Sequence, residues 1–189
     1  MEETEDINIK KAKLSRDGSV EASYIDADGN DIAFKGFNKC HPDLRAAFQV
    51  LVPFFADLTE QKESDSIDWN NIESEDNKEL LKKIQVNGIS IGGSEHSRLI
   101  TMSGNRTLAT SRILNLNTPG VPMEDDTFEW QFISEFDLAV QALLYEVKAY
   151  ILNKKWEVRQ ETIDFDTDND DPFAAPQPTD DAAPLDTVA

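Results

Sequence analysis

"INIKKAKLSRDGSVEASYIDADGNDIAFKGF", residues 7–37, decides the fold class of this chain. Three short runs of β-favouring residues alternate with two turn sequences, and each turn contains an Asp-Gly pair, at Asp17-Gly18 and Asp28-Gly29. Asp-Gly between such runs is a strong hairpin signal, because glycine adopts a positive φ without a Cβ clash. The stretch therefore predicts three antiparallel strands joined by tight turns.

The spacing of apolar residues changes after this stretch. In "HPDLRAAFQVLVPFFADLTEQ", residues 41–61, they recur on one face of a helix, at Leu44, Ala47, Phe48, Leu51, Phe55 and Leu58. Pro42 suits the first turn of that helix, where its missing N–H has no partner in any case. Pro53 lies inside the pattern and predicts a kink, because its ring clashes with the preceding turn.

The second half of the chain follows a similar order. Residues 62–78 are polar and acidic, without a period of their own, and predict a connector. Three further β-favouring runs, "LLKKIQVNGISIGG", "RLITMSG" and "TLATSRILNLN", predict a second meander, and "NTPGVPMEDD" (117–126) predicts a loop. The apolar stripe in residues 134–156 predicts a last helix, and Ser134 with Asp137 resembles a capping box at its start.

Together these elements predict an α+β fold with two βββα units. The units would form one antiparallel sheet with two helices packed on one face. The single domain spans 7–158, with the first unit at 7–61, the acidic connector at 62–78 and the second unit at 79–158. Residues 1–6 and the acidic C-terminal tail, 159–189, are predicted to be disordered, since residues 161–189 carry nine acids, no base and four prolines.

Charge and composition narrow the classes of function. The formal net charge is −19, from 37 acids against 18 bases, which disfavours nonspecific adhesion to nucleic acid or anionic membrane. One cysteine excludes an internal disulfide and favours a reducing compartment. No run approaches the roughly 20 apolar residues that cross a bilayer, and the acidic start does not suit a signal peptide. A cytoplasmic location and no membrane partner are expected.

Basic residues concentrate in parts of the predicted sheet. Between Leu80 and Asn117 there are five bases and one acid, and the first strand adds further lysines. Gathered on one sheet face, these cations would bind phosphates with a steep salt dependence. The candidate nucleic-acid-binding residues are Lys10, Lys11, Lys13, Lys82, Lys83, Arg98, Arg106 and Arg112. A solvated polar sheet face is the alternative, and only Tyr24, Phe34 and Phe37 of the first meander are available to stack on bases.

The tail carries two candidate partner-binding peptides. Gln160, Ile163 and Phe165 stand in "QETIDF", which resembles the Gln-x-x-Leu-x-Phe peptide by which bacterial replication and repair proteins dock on the sliding clamp. "DNDDPF", which ends at Phe173, is similar to the acidic tip of bacterial single-stranded DNA-binding proteins. Sixteen residues follow Phe173, so the free carboxylate of that tip is missing here. The alternative for the tail is an acidic segment that keeps the protein soluble.

Catalysis, metal binding and cofactors are not expected. His41 and His96 are the only histidines, and no nucleophile framework surrounds either. Cys40 and His41 are adjacent and lack the paired spacing of a zinc site. His41 precedes a predicted helix and is expected to cap it.

The order of the segments also carries a family resemblance. "ITMSGNRTLATSRILNLNTP" (100–119), followed by an acidic helix and the Gln160–Phe165 ending, resembles phage DNA-metabolism accessory proteins of the single-stranded DNA-binding type. The resemblance implies a non-enzymatic accessory protein of DNA replication or recombination. It would bind single-stranded DNA through its basic sheet face and recruit a partner, such as a sliding clamp, through its tail. The sequence does not decide whether the chain forms a homo-oligomer. The alternatives are an acidic, phosphate-mimicking inhibitor that binds a protein and no DNA, and a phage structural or assembly protein.

Overall fold

One antiparallel sheet organises the residues that the computed structural model describes, which are 7–94, 97–123 and 128–157. Its strands are β1 (Asn8–Leu14), β2 (Val20–Ile25), β3 (Asp31–Lys35), β4 (Ile84–Ser94), β5 (Ser97–Thr107), β6 (Ile113–Asn117) and β7 (Val121–Pro122). Their order is β3-β2-β1-β4-β5-β6, and β7 pairs with β5. The predicted α+β class and antiparallel sheet are confirmed. The segments 1–6 and 159–189 lie outside the described residues.

The two Asp-Gly turns join the first three strands as predicted. Gly18 and Gly29 adopt φ values of 87° and 84°, which only glycine reaches without strain. In the second turn the Asp26 carboxylate accepts hydrogen bonds from the backbone N–H of Asp28 and Asn30. The bonds from Asn30 lower the pKa of Asp26, and they make this acidic sequence a hairpin turn.

The helix predicted over residues 41–61 is present and broken in the middle. It comprises α1 (Pro42–Val50) and α2 (Val52–Leu58), with Pro53 in the first turn of α2, so the predicted kink is confirmed. His41 caps α1, because its Nδ1 accepts a hydrogen bond from Asp43 N at 3.3 Å.

The predicted connector is wrong in its second part, where residues form a third helix, α3 (Glu75–Leu81). The Ser74 side chain caps it, accepting from the backbone N–H of Asn77. The buried Asn77 amide in turn bonds the backbone of Asp68 and Asn71, which holds the connector against α3. A seven-residue helix fixed by polar bonds leaves no apolar period to detect. The strand predicted to include "LLKK" therefore begins only at Ile84.

Two predictions at the last helix are also corrected. α4 spans Ile133–Leu152, so Ser134 lies inside the helix, and Phe132 holds the N-cap position without a side-chain bond. Phe132 stacks on Trp69, with ring centroids 3.5 Å apart, and aromatic packing sets this helix start in place of a capping box. The predicted loop at 117–126 contains β7.

The helices α1, α2 and α4 lie on the same side of the sheet, here called the covered face. Phe34 of β3 meets Tyr150 of α4 edge to face, and a Cβ on Gly104 of β5 would lie 2.8 Å from the Phe55 ring of α2. Alternate residues along the central strands fill this core, as a half-buried sheet requires, and Ala12 of β1 and Ile100 of β5 are fully buried. The opposite side, here called the open face, carries the exposed side chains of Lys11 and Lys13. None of the helices in the described ranges is long and apolar enough to span a bilayer.

Candidate nucleic-acid interface

Two cross-strand rows of side chains run over the open face. The first row, from β3 to β6, is Lys35, Glu21, Lys13, Gly88, Ser103 and Asn117. The second, from β3 to β5, is Ala33, Ser23, Lys11, Ser90 and Thr101. Neighbours in a row lie about 5 Å apart, because that is the spacing of paired strands. The two rows therefore place Lys11 and Lys13 side by side near the middle of the sheet.

The lysines of these rows are largely unneutralised. Lys11 and Lys13 are exposed and have no carboxylate partner within the described part of the chain. Lys35 Nζ lies 3.7 Å from Glu21 Oε1, but the two side chains are 70% and 43% exposed, so solvent screens the pair strongly. Three lysines against one glutamate leave the rows with a charge of +2, in a chain of −19.

Around the lysines the open face is shallow and polar, and exposed Leu99 and Ile113 lie on it farther toward β5 and β6. Lys11, Lys13, Ser23 and Lys35 line a depression of about 300 Å³. Toward β5 the rows continue into small hydroxyl side chains, and a Cβ on Gly88 would overlap the Ser103 hydroxyl. Hydroxyl and amide groups without charge are the usual neutral contacts to phosphate and sugar. The hydroxyl and amide groups of the rows therefore add neutral donors to the lysines.

Arg106 belongs to the fold and not to this surface. It lies on the covered-face side of β5, where its guanidinium makes two 2.6 Å bonds to the Glu63 carboxylate and a 2.8 Å bond to Gln61 Oε1. Only 16% of the Arg106 side chain and 15% of the Glu63 side chain are exposed. The bidentate bond raises the pKa of Arg106 and lowers the pKa of Glu63, so both stay ionised. The pair ties β5 to the segment after α2.

Three other predicted cations also have acidic partners. Arg98 sits on the covered-face side at the other end of β5, 3.9 Å from Asp137 of α4. Lys10 falls in the bulge of β1 and bonds Asp31 at 2.6 Å. Lys82 pairs with Glu79, one helical turn before it. The expectation that all eight cations share one sheet face therefore does not hold.

Lys83 and Arg112 remain exposed and lie at one end of the sheet. The Lys83 carbonyl accepts from Thr107 N, and the Arg112 carbonyl accepts from Leu108 N, so both residues stand beside the end of β5. This is also the end at which the Asp17-Gly18 turn lies, because β1 and β5 run in the same direction. The structure thus places Lys11 and Lys13 on the open face, and Lys83 and Arg112 at one end of the sheet.

The first meander contains further cations of this surface that were not among the candidates predicted from the sequence. Lys35 shares the Lys13 row, and Lys39 follows it in the loop "KGFNK", residues 35–39. Of the three candidate stacking residues, Phe34 and Tyr24 are partly buried against the core, whereas Phe37 is 91% exposed. Two lysines on either side of a phenylalanine in a turn were the sequence pattern that could have indicated these residues.

The four predicted partner-binding residues belong to the C-terminal tail. Gln160, Ile163, Phe165 and Phe173 lie outside the described residues. Cys40 is buried, which raises the pKa of its thiol. In residues 7–94, 97–123 and 128–157, no three His, Cys, Asp or Glu side chains group closely enough to hold a metal ion.

No protein-family model, curated protein or solved structure matches this chain.

Proposed function

We propose that the chain is a non-enzymatic DNA replication or recombination accessory protein that holds single-stranded DNA on the open face of its sheet. The observation that supports this is the contrast between paired and unpaired cations. Arg98, Arg106 and Lys10 have carboxylate partners, whereas Lys11 and Lys13 point from adjacent rows with none among the described residues. In a chain with a net charge of −19, an external phosphate binds most favourably to lysines that have no carboxylate partner.

The shape of the surface favours a single strand over a duplex. The major groove of DNA is read by a protruding helix or β-ribbon, and the open face is a shallow sheet surface. An extended strand can lie across the rows, with phosphates on Lys11, Lys13 and Lys35 and sugars beside Ser90 and the hydroxyls around it. Because the rows carry a charge of +2 and the whole chain is acidic, DNA is expected to bind at the rows and not elsewhere on the protein.

The test is a titration of labelled single-stranded oligonucleotide across a series of salt concentrations. The Lys11→Ala/Lys13→Ala variant is expected to bind more weakly and to reduce the slope of log K against log salt by about 1.4, since each phosphate contact contributes about 0.7. Lys78→Ala/Lys82→Ala is the matched control. It removes the same charge from exposed lysines that pair with Glu75 and Glu79, and it should leave the slope unchanged.

The acidic tail has a separate role in this proposal, which rests on its sequence. Its nine acids would compete with phosphate for the lysine rows, so a chain that ends at residue 158 should bind the oligonucleotide more tightly than the full chain. The tail would also recruit a replication protein. A pull-down with a bacterial sliding clamp should succeed with the full chain and fail with Gln160→Ala or Phe165→Ala.

We infer further, from the sequence alone, a cytoplasmic location, a phage origin and a build of two βββα units. The rival function is a phosphate-mimicking inhibitor that binds a protein and no DNA. It predicts that neither the full chain nor the shortened one binds an oligonucleotide even at low salt. That result would reject DNA binding and favour the rival.

A further inference from the structure

We propose that Phe37 is the residue on which a DNA base stacks, held at the end of the lysine row by a rigid loop. This inference rests on the proposed single-strand binding and adds what the lysines cannot supply, a means of preferring exposed bases. Stacking on an aromatic ring is the usual source of that preference.

The exposure of Phe37 is unlike that of the other phenylalanines described. Phe48, Phe54, Phe55 and Phe136 are at most 2% exposed, whereas Phe37 is 91% exposed. A ring in water forgoes the burial that stabilises the others. Its position is therefore better explained by a contact with a ligand than by the fold.

The backbone on both sides of Phe37 is fixed to the body. Gly36 N donates to Val20 O at 2.8 Å, and Cys40 N donates to Gly18 O at 2.8 Å. The Tyr150 hydroxyl donates to Asn38 O at 2.5 Å, and burial raises the pKa of that phenol, which keeps it a donor.

Glycine at position 36 makes this arrangement possible. A Cβ there would overlap the Tyr150 hydroxyl, so a larger residue would push the loop off α4. The fixed backbone presents the Phe37 ring outward and limits the entropy lost when a base stacks on it.

Cations flank the ring on both sides. Lys35 ends the row that contains Lys13, and Lys39 stands two residues after Phe37. Lys39 has no acidic partner in the described part of the chain, and its Cγ lies 3.5 Å from the Cβ position of Gly18, so its stem lies along the hairpin turn. In the proposed complex, a strand with a phosphate on Lys35 places a neighbouring base on Phe37, two residues further along the chain.

The experiment compares Phe37→Ala, Phe37→Leu and Phe37→Trp in the full chain. Phe37→Ala is expected to weaken binding to a single-stranded oligonucleotide about 10-fold, Phe37→Leu by a similar factor, and Phe37→Trp should bind at least as tightly as the wild type. None of the three removes a charge, so the salt slope should stay unchanged, whereas Lys39→Ala should lower it by about 0.7. Leu138→Ala is the control, because Leu138 is an equally apolar side chain, 70% exposed on α4.

A second probe separates contacts with the bases from contacts with the phosphate backbone. An abasic oligonucleotide has the same phosphates and no bases, so wild type and Phe37→Ala should bind it equally. Equal binding of the normal oligonucleotide by both proteins, with loss in the Lys11→Ala/Lys13→Ala variant, would overturn the stacking role and leave the proposed function standing. Failure of the wild type to bind any oligonucleotide would reject the proposed function itself. A Phe37→Ala chain that loses self-association in sedimentation, with unchanged DNA affinity, would instead identify the ring as a protein contact and overturn the inference.

Discussion

The two faces of the sheet use their charged residues for different purposes. On the covered face, Arg106 is four-fifths buried and donates to Glu63 through Nη1 and Nη2 of its guanidinium. On the open face, Lys13 is exposed to solvent and forms no ion pair with a described carboxylate, although Glu21 lies beside it in its row. The comparison teaches that a cation with a bidentate partner stabilises the fold, and that a cation without one is available to an external anion.

The largest difference in stability between the two faces is expected when glycine is replaced by alanine. Gly104 lies on the covered face of β5, where an added Cβ would overlap the Gln85 carbonyl oxygen and crowd the Phe55 ring. Gly104→Ala is expected to lower the free energy of unfolding by about 3 kcal/mol, because backbone cannot yield as a side chain can. Gly92 lies on the open face, with the nearest atom 3.9 Å from its Cβ position. Gly92→Ala should change the free energy by less than about 0.5 kcal/mol in urea unfolding. Equal effects of the two substitutions would contradict the assignment of faces.

Removing the acid of the covered-face pair is the next largest change. Glu63→Gln keeps the shape and leaves Arg106 with neutral partners, so about 2 kcal/mol of unfolding free energy should be lost. The matched control is Glu75→Gln, whose partner Lys78 lies 2.7 Å away in an exposed pair, with side chains 56% and 87% exposed. The control should cost less than about 0.5 kcal/mol. Denaturant midpoints of the three proteins give both values.

Acid pH should erase the difference between wild type and Glu63→Gln. Arg106 lowers the pKa of Glu63 in the folded state, so this carboxylate stabilises the fold above its unfolded pKa of about 4.3. That contribution is lost as the pH falls through the folded pKa, because the protonated carboxyl no longer carries the charge that attracts Arg106. Urea midpoints of the two proteins should differ at pH 7 and converge below about pH 4. A constant difference between pH 7 and pH 3 would show that the Glu63 charge is not the stabilising feature.

The smallest effect on stability is expected on the open face. Lys11→Ala and Lys13→Ala should each change the free energy of unfolding by less than about 0.5 kcal/mol, because neither lysine has an acidic partner in the described ranges. Thermal melts of the variants and the wild type test this. A marked loss of stability would mean that these lysines serve the fold, as Arg106 does.

Much of the fold follows from local signals in the sequence. The Asp-Gly turns require glycine at positive φ. Pro53 interrupts the helix through local steric clash, whatever the tertiary contacts around it. α3 could not be predicted in the same way, because Ser74 and the buried Asn77 amide fix it through bonds to the connector. The start of α4 depends on the distant ring of Trp69.

Part of the site also follows from local alternation. Arg98 and Arg106 have the same parity along β5 as the buried Ile100 and Met102, so strand alternation alone predicts them on the covered face. Lys11 and Lys13 flank the buried Ala12 and fall on the opposite face by the same rule. The partner of Arg106 could not be predicted, because Glu63 comes from a loop more than forty residues away in the chain.

The seam between β1 and β4 has a consequence for the order of folding. The first meander and the β4–β6 meander each close through short turns. By contrast, β1 and β4 meet at Lys11–Ser90, Ala12–Ile89 and Lys13–Gly88, although β2, β3 and the helices α1 to α3 lie between them in the chain. Contacts between residues so distant in the chain form late, since a long loop must be closed first. The lysine row crosses this seam, so it is complete only in the fully folded protein. Any ligand of the row therefore binds the native state alone, and the melting temperature should rise with the logarithm of the ligand concentration once that concentration exceeds Kd.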